Sequence, residues 1–405
     1  MTTRRIGPLD KSFPASLEGH DASALATPLA EFSTPLLALD GDALAHNVRT
    51  MAAWVARRGL ELMPHGKTTM APVLWRRQLE AGATGITVAT GWQADVALRA
   101  GVGTVQIANA CTDPALLRRL AAWLADHPAQ EVVCWADSAA TIDVLEAALP
   151  DGSRLGVLVE LGAAGGRTGC RDADELVELA RRVAASDVLE LRGVAGYEGA
   201  LAHDRSPAAL AAVRAYCDEL AALVERVRPH VVGRPWITAG GSAYFDLVAE
   251  SLARVRDARA ILRSGAYVVH DDGFYRGISP LDPARAEDAE FLRPAMHGFA
   301  RVVSLPEPGL ALLDAGKRDL PFDEGLPVPL GVAGALGGAE RPLRAEITAL
   351  NDQHAFLRWQ GSSPVAVGDV VRLGLSHPCT AFDKWRLIPV VGADGIVTEA
   401  LETFF

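Results

Sequence analysis

An α/β barrel of eight parallel strands, joined to a mainly antiparallel β-domain, is the fold class that this 405-residue sequence predicts. Two observations predict the barrel, and one predicts the second domain. Between about residues 60 and 270, eight short apolar runs alternate with Ala/Leu/Arg-rich segments whose apolar residues recur at helical spacing. Those runs are nearly continuous in apolar residues, as parallel strands buried on both faces are. After about residue 285 the texture changes to short β-branched runs broken by Gly, Pro and Asn-Asp, which is an antiparallel pattern.

The elements follow in chain order. "STPLLALDGDALAHNVRTM" (33–51) reads as a strand and then a helix, and the strand can join the C-terminal β-domain. The barrel runs are "LELMPHG" (60–66), "GITVAT" (85–90), "TVQIANA" (104–110), "EVVCWAD" (131–137), "RLGVLVEL" (154–161), "LRGVAGY" (191–197), "RPWITAGG" (234–241) and "ARAILRSG" (258–265). Between them lie helical segments such as "DPALLRRLAAWLADH" and "PAALAAVRAYCDELAALVERVR". Eight strand–helix alternations suggest a (β/α)8 barrel, with a doubly wound open sheet as the competing layout. The antiparallel part includes "GFARVVSLPEPGLALLDAG", "LRAEITALNDQHAFLRW", "VGDVVRLGLSHPC" and "LIPVVGADGIVTEAL". The domains expected are an N-terminal segment and strand over 1–45, a barrel over 46–285 and a C-terminal β-domain over 286–405.

Composition narrows the function classes. With 49% hydrophobic and 22% charged residues, the chain has the make-up of a soluble globular protein. A formal net charge of -11 argues against a nucleic-acid partner, which needs a basic face. Five cysteines at wide spacing suggest no disulfide framework, so a reducing cytoplasm is the natural setting. No apolar run has the length of a signal peptide core or a membrane span, so no membrane role is expected.

Lysine is scarce: Lys11, Lys67, Lys317 and Lys384 are the only four. Lys67, in "LMPHGKTTM" (62–70), directly follows the first barrel run. Barrel enzymes place catalytic groups where strands end and βα-loops begin. An amine there can bond a carbonyl coenzyme, although a solvated surface lysine is the ordinary reading. "TAGGSAYFD" (238–246) is a Gly-Gly-Ser turn opening a helix, and backbone N–H groups at such a turn can hold a phosphate. "RSGAYVVHDD" (263–272) offers a second glycine at the adjacent strand end; by itself either could be merely a turn. A lysine on strand one opposite a phosphate cup on strands seven and eight fits pyridoxal 5'-phosphate (PLP).

These blocks carry a family resemblance. "PHGKTTMAP", "VELGAAGGRTGCR", "GYEGALAH", "TAGGSAYFD", "LRSGAYVVHDDG" and "LSHPCTAFDKW" resemble the D-serine dehydratase / D-threonine aldolase family, in that family's order, over roughly residues 35–390. Those enzymes share the alanine racemase-type barrel of the fold type III PLP enzymes. The resemblance implies that Lys67 carries the coenzyme and that Arg167 approaches its phenolic oxygen, where a cation favours the phenolate. It implies that Tyr197 lies near the pyridine ring and nitrogen, and that Thr238, Gly240, Gly241, Ser242, Gly265 and Tyr267 form the phosphate side. Without the family, Arg167 reads as a surface arginine and Tyr197 as a barrel-top core tyrosine. Asn109 and Thr90 sit at strand ends without a firm role.

His377 and Cys379 stand two residues apart in "LSHPCTAFDKW". In an extended segment alternate side chains share a face, so both could grip one ion, and imidazole with thiolate favours zinc. On spacing alone, a lone His and a buried Cys is the plainer reading. The resemblance implies a divalent metal held by this pair, zinc before manganese, with Asp383 structural or close by. His354, in "LNDQHAFLRW", could touch substrate or stand as a solvated turn residue. The resemblance further implies a homodimer and a lyase acting on D-β-hydroxy amino acids. Dehydration of D-serine, D-threonine or 3-hydroxy-D-aspartate to a 2-oxo acid and ammonia is the first reading. Retro-aldol cleavage to glycine and an aldehyde is the runner-up, ahead of a racemase, and a non-catalytic PLP-binding protein is the alternative from another class.

Overall fold

All eight apolar runs between residues 60 and 265 become parallel strands: β1 (Glu61–Leu62), β2 (Ile86–Val88), β3 (Thr104–Ala110), β4 (Glu131–Ala136), β5 (Leu155–Leu161), β6 (Leu189–Gly196), β7 (Trp236–Ala239) and β8 (Arg259–Leu262). The computed structural model describes residues 4–285 and 290–405. The strands run in the order β1-β8-β7-β6-β5-β4-β3-β2. Between β1 and β2 the ring is closed by the amides of Thr84 and Thr87, which donate to Leu62 and Pro64 carbonyls at 2.9 Å each. The fold is therefore the barrel and not the open doubly wound sheet. Across the β8–β1 seam, Arg259 donates from Nε and Nη2 to the Glu61 carboxylate at 2.6 to 3.1 Å.

The interior is closed by Met63, Val133, Trp135, Leu158, Ala195, Trp236 and Ile261, drawn from β4 to β8 and from the end of β1. Outer helices start where the sequence supplies caps. Asp113 accepts from Ala115 and Leu116 ahead of Pro114, and Ser206 accepts from Ala209 ahead of Pro207.

The antiparallel sheet contains the N-terminal strand, as the sequence suggests. Leu36–Asp40 pairs antiparallel with Met296–Glu307 and parallel with Leu387–Val391. Val370–Gly374 lies on the other side of Met296–Glu307. Leu36, Ala38, Val370, Leu387, Val397 and Ala400 build a core with Leu17, Leu29 and Phe32. The chain divides into two units. One comprises Met51–Lys67 and Trp75–Gly265 and holds the barrel; the other comprises the chain up to Thr50, Thr68–Leu74 and Ala266–Phe405. Residue 286, where the C-terminal domain is expected to begin, lies outside the described residues. Among the described residues no helix is long and apolar enough to cross a membrane.

Candidate active site

Lys67 sits on a short 3-10 turn, Gly66–Thr68, immediately after β1. Two glycines let this turn pack. A Cβ on Gly66 would lie 2.6 Å from Trp75 Nε1, and that indole donates to the Gly66 carbonyl at 3.2 Å. A Cβ on Gly265, just past β8, would lie 2.5 Å from the His65 carbonyl oxygen. The end of β8 therefore touches the backbone next to the lysine, and only a residue without a side chain allows the approach. Burial pushes the His65 imidazole well below its ordinary range, and the charges of Lys67, Arg263 and Arg167 push it further. Three cations thus act on one neutral ring at the C-terminal ends of the barrel strands. That charge pattern fits a coenzyme bearing a phosphoryl group and a phenolate.

Arg167 lies on the exposed loop after β5, with its guanidinium carbon 4.4 Å from the centre of the Tyr197 ring. Burial, then the nearby Glu198 charge, raise the Tyr197 hydroxyl above its ordinary range, while Arg167 opposes them. The backbone of Tyr197 is held by Tyr216, whose hydroxyl accepts from the Tyr197 amide at 3.0 Å and donates to Leu161 O at 2.6 Å.

Thr238 points at a cation. Its hydroxyl accepts from Arg263 at 2.8 Å, and Arg263 also donates to Gly196 O at 2.6 Å while lying 4.9 Å from the Trp135 ring centre. Full burial pulls Arg263 down to about 10, against the pull of Glu198 and other neighbours. Glu160, at the end of β5, goes the other way: burial raises it to about 7, although Thr168 donates to it at 2.9 Å.

Sequence reasoning missed Glu198. Its side chain is wholly buried, and its two oxygens accept from the amides of Gly240 (3.0 Å) and Gly241 (2.6 Å). These amides were the expected phosphate donors, and here a carboxylate fills them. Gly240 has φ +108°, a conformation that side chains rarely adopt. Ser264 Oγ donates to the Gly241 carbonyl at 3.0 Å, so the turn is pinned from below as well. Ser242, the next residue, is half-buried. The available signal was a glutamate directly after Tyr197 at a strand end, in a position that otherwise reads as loop.

Asn109 is exposed, and its side-chain oxygen accepts from the next amide; Thr90 caps the helix Gly91–Arg99 by accepting from Gln93.

In the other unit, Tyr267 is buried in the turn Ala266–Val268. His377 and Cys379 do come together, but not by the expected route. The segment is not extended: His377 has φ 57° and ψ 93°, and Pro378–Thr380 forms a 3-10 turn. The turn brings the thiol within hydrogen-bonding reach of the imidazole. Burial works against the His377 charge, yet the Cys379 and Asp323 side chains outweigh it and push the imidazole up to about 9. Asp323, also missed from sequence, lies 2.6 Å from His377 Nδ1. Thr68 Oγ1, on the residue after Lys67, is 3.5 Å from Cys379 Sγ. Imidazole and thiol in contact are a donor set suited to a soft divalent ion such as zinc. Among the described residues no cluster of three or more His, Cys, Asp or Glu is placed to hold a metal. Asp383 is exposed and faces Lys384 at 3.4 Å, and His354 is exposed on the hairpin turn between Glu346–Leu350 and Ala355–Arg358.

Comparison with known proteins agrees with this layout. Residues 39–257, more than half of the chain, match the model of the alanine racemase N-terminal domain. The chain belongs to the alanine racemase-type family of PLP enzymes. Within that family, residues 295–391 also match the putative serine dehydratase domain. A D-threonine aldolase of an Arthrobacter species is 30% identical over 93% of each chain. A 3-hydroxy-D-aspartate aldolase of Paracoccus denitrificans is 31% identical over 77% of this chain and 80% of its own. The crystal structure of D-threonine aldolase from Filomicrobium marinum superposes with a TM-score of 0.77 at 27% identity, covering 94% of this chain and 97% of that one.

Proposed function

We propose that the protein is a PLP- and metal-dependent lyase acting on D-β-hydroxy amino acids, with dehydration to a 2-oxo acid and ammonia as its reaction. The observation that carries the reading is Lys67 on the turn closing β1, with the Arg167 and Arg263 charges around the adjacent His65. Bound through Lys67, PLP would draw the electron pair left at the substrate Cα into its ring. Arg167 and Arg263 would balance its negative charge, and the released Lys67 amine would take the Cα proton. A divalent ion held by His377 and Cys379 would polarise the β-hydroxyl as a Lewis acid. Zinc is the ion that the donor pair favours, with manganese as the alternative. A homodimer in the cytoplasm belongs to the same reading.

The thiol ligand supports dehydration. A D-threo-3-hydroxyaspartate dehydratase of a Delftia species is 26% identical over 91% of this chain and 97% of its own. Solved variants of a D-threo-3-hydroxyaspartate dehydratase replace a histidine and, two positions on, a cysteine by alanine, the latter in a metal-free form, and the same spacing separates His377 from Cys379. Retro-aldol cleavage is the second reading, favoured by the higher identity to the two aldolases.

Incubation with D-threonine, PLP and zinc tests the choice. 2-Oxobutyrate with ammonia supports dehydration, and glycine with acetaldehyde supports the aldolase. Turnover of neither D-threonine, D-serine nor 3-hydroxy-D-aspartate would remove the lyase reading and favour a non-catalytic PLP-binding protein.

A further inference from the structure

We infer that Asp323 is a positioning residue of the His377–Cys379 pair, fixing which ring nitrogen of His377 is left for the ion. The inference rests on the metal reading above and names a residue 54 positions earlier in the chain.

The geometry is specific. An ionised carboxylate only accepts hydrogen bonds. Its 2.6 Å contact therefore keeps a proton on Nδ1 of His377 and leaves Nε2 as the nitrogen that gives up its proton to take an ion. The other Asp323 oxygen accepts from Thr380 Oγ1 at 2.5 Å. One carboxylate thus ties the first residue of the turn to its last, with Cys379 between them. A second carboxylate, the buried Asp271, accepts from the amides of Gly273 (3.0 Å) and Tyr275 (2.9 Å), and the nearby His377 amide helps to oppose the rise that burial causes in it. The Tyr275 ring stands edge-on to the imidazole with centroids 6.3 Å apart.

His377 is therefore held at its ring, in a conformation that non-glycine residues seldom take. Backbone strain of this kind persists only where the surroundings impose it. A single hydrogen bond at Nδ1 then decides the rotamer and tautomer of a ligand whose partner, Cys379, is only two residues away. Asp383, the acid nearest in sequence, has no such geometry: it is exposed and paired with Lys384.

The test measures Zn2+ affinity of the PLP-loaded protein with a chromophoric chelator as competitor, for wild type, Asp323→Asn, Asp323→Ala, Asp383→Asn and His377→Ala. Loss of an orienting partner of this type weakens metal binding about 10–100-fold. Both Asp323 variants should show that loss with one ion still bound, and Asp383→Asn should stay within about twofold of wild type. With Co2+, the thiolate charge-transfer band should persist in Asp323→Asn, showing that Cys379 still binds and the turn is still folded. Wild-type affinity in both Asp323 variants, while His377→Ala loses the ion, would overturn the inference alone. Unchanged affinity in His377→Ala would instead remove the metal reading on which it stands.

Discussion

Replacing Glu198 by alanine takes away the shared acceptor of two backbone amides in the barrel's β7 turn. Gly240 N–H is buried and Gly241 N–H half-buried, and both point at the carboxylate at 3.0 and 2.6 Å. A buried donor left without a partner costs about 1–3 kcal/mol. Two donors, one partly wetted, together predict a loss of about 2–5 kcal/mol for Glu198→Ala. Arg263 adds to the loss, because Glu198 is the largest of the charges that keep this buried guanidinium protonated. Glu198→Gln keeps one oxygen but turns an NH2 group toward the other amide, so about half of the loss is expected. The assay is urea denaturation of the coenzyme-free protein, with the transition of the barrel unit followed by tryptophan fluorescence; Trp135 and Trp236 lie in its core. The order wild type, Gln, Ala in falling stability is the expected result. A Glu198→Ala protein within about 0.5 kcal/mol of wild type would refute the reasoning, since that is the range of an ordinary surface change. A PLP titration adds a second reading. If the phosphate takes over the two amides once the carboxylate is gone, added PLP should stabilise Glu198→Ala more than wild type.

Three further outcomes follow from the barrel unit. Gly265→Ala puts a methyl 2.5 Å from the His65 carbonyl oxygen, which is backbone and cannot rotate away; overpacking of this kind costs about 1–3 kcal/mol and should also weaken PLP binding, as equilibrium dialysis would show. Lys67→Ala should abolish the visible absorbance of PLP-loaded protein and its trapping by borohydride, and a persisting trapped adduct on another residue would place the coenzyme elsewhere. Glu160, raised by burial from 4.5 to about 7, keeps its proton to higher pH in the folded protein than in the unfolded chain. The unfolded chain therefore binds fewer protons between those values, and stability falls as pH rises through this window, by about 1.4 kcal/mol per pH unit and about 3 kcal/mol in all. Glu160→Gln should flatten that slope in denaturation midpoints measured from pH 5 to 8, while an unchanged slope would show that another group titrates.

The barrel was readable because burial of parallel strands leaves an apolar signature that repeats. Each of the eight runs became a strand, and Lys67 stood at a strand end without any knowledge of its neighbours. The residues that went unread are the buried charges Glu198, Arg263, Glu160 and Asp271, together with the exposed Asp323. Hydrophobic patterning detects burial through apolar side chains, so a glutamate after Tyr197 or an arginine closing "ARAILRSG" reads as loop or surface. What gives such residues their role is a partner brought close by folding: Arg263 reaches Thr238 and Gly196, and Asp323 reaches His377 and Thr380. Such partnerships span 25 to 67 residues, beyond any local window. The His377–Cys379 pair shows the same limit from the other side. Their spacing allowed one shared ion without favouring it, and the alternation argument assumed an extended strand. A left-handed histidine and a 3-10 turn deliver the pair instead, and a conformation that unfavourable needs its surroundings, Asp323 among them, to impose it. Charged groups are costly to bury unless paired. Glu160, Glu198 and Arg263 all lie at or just past the C-terminal ends of barrel strands, so that end of the barrel is where this fold bears the cost of buried charge.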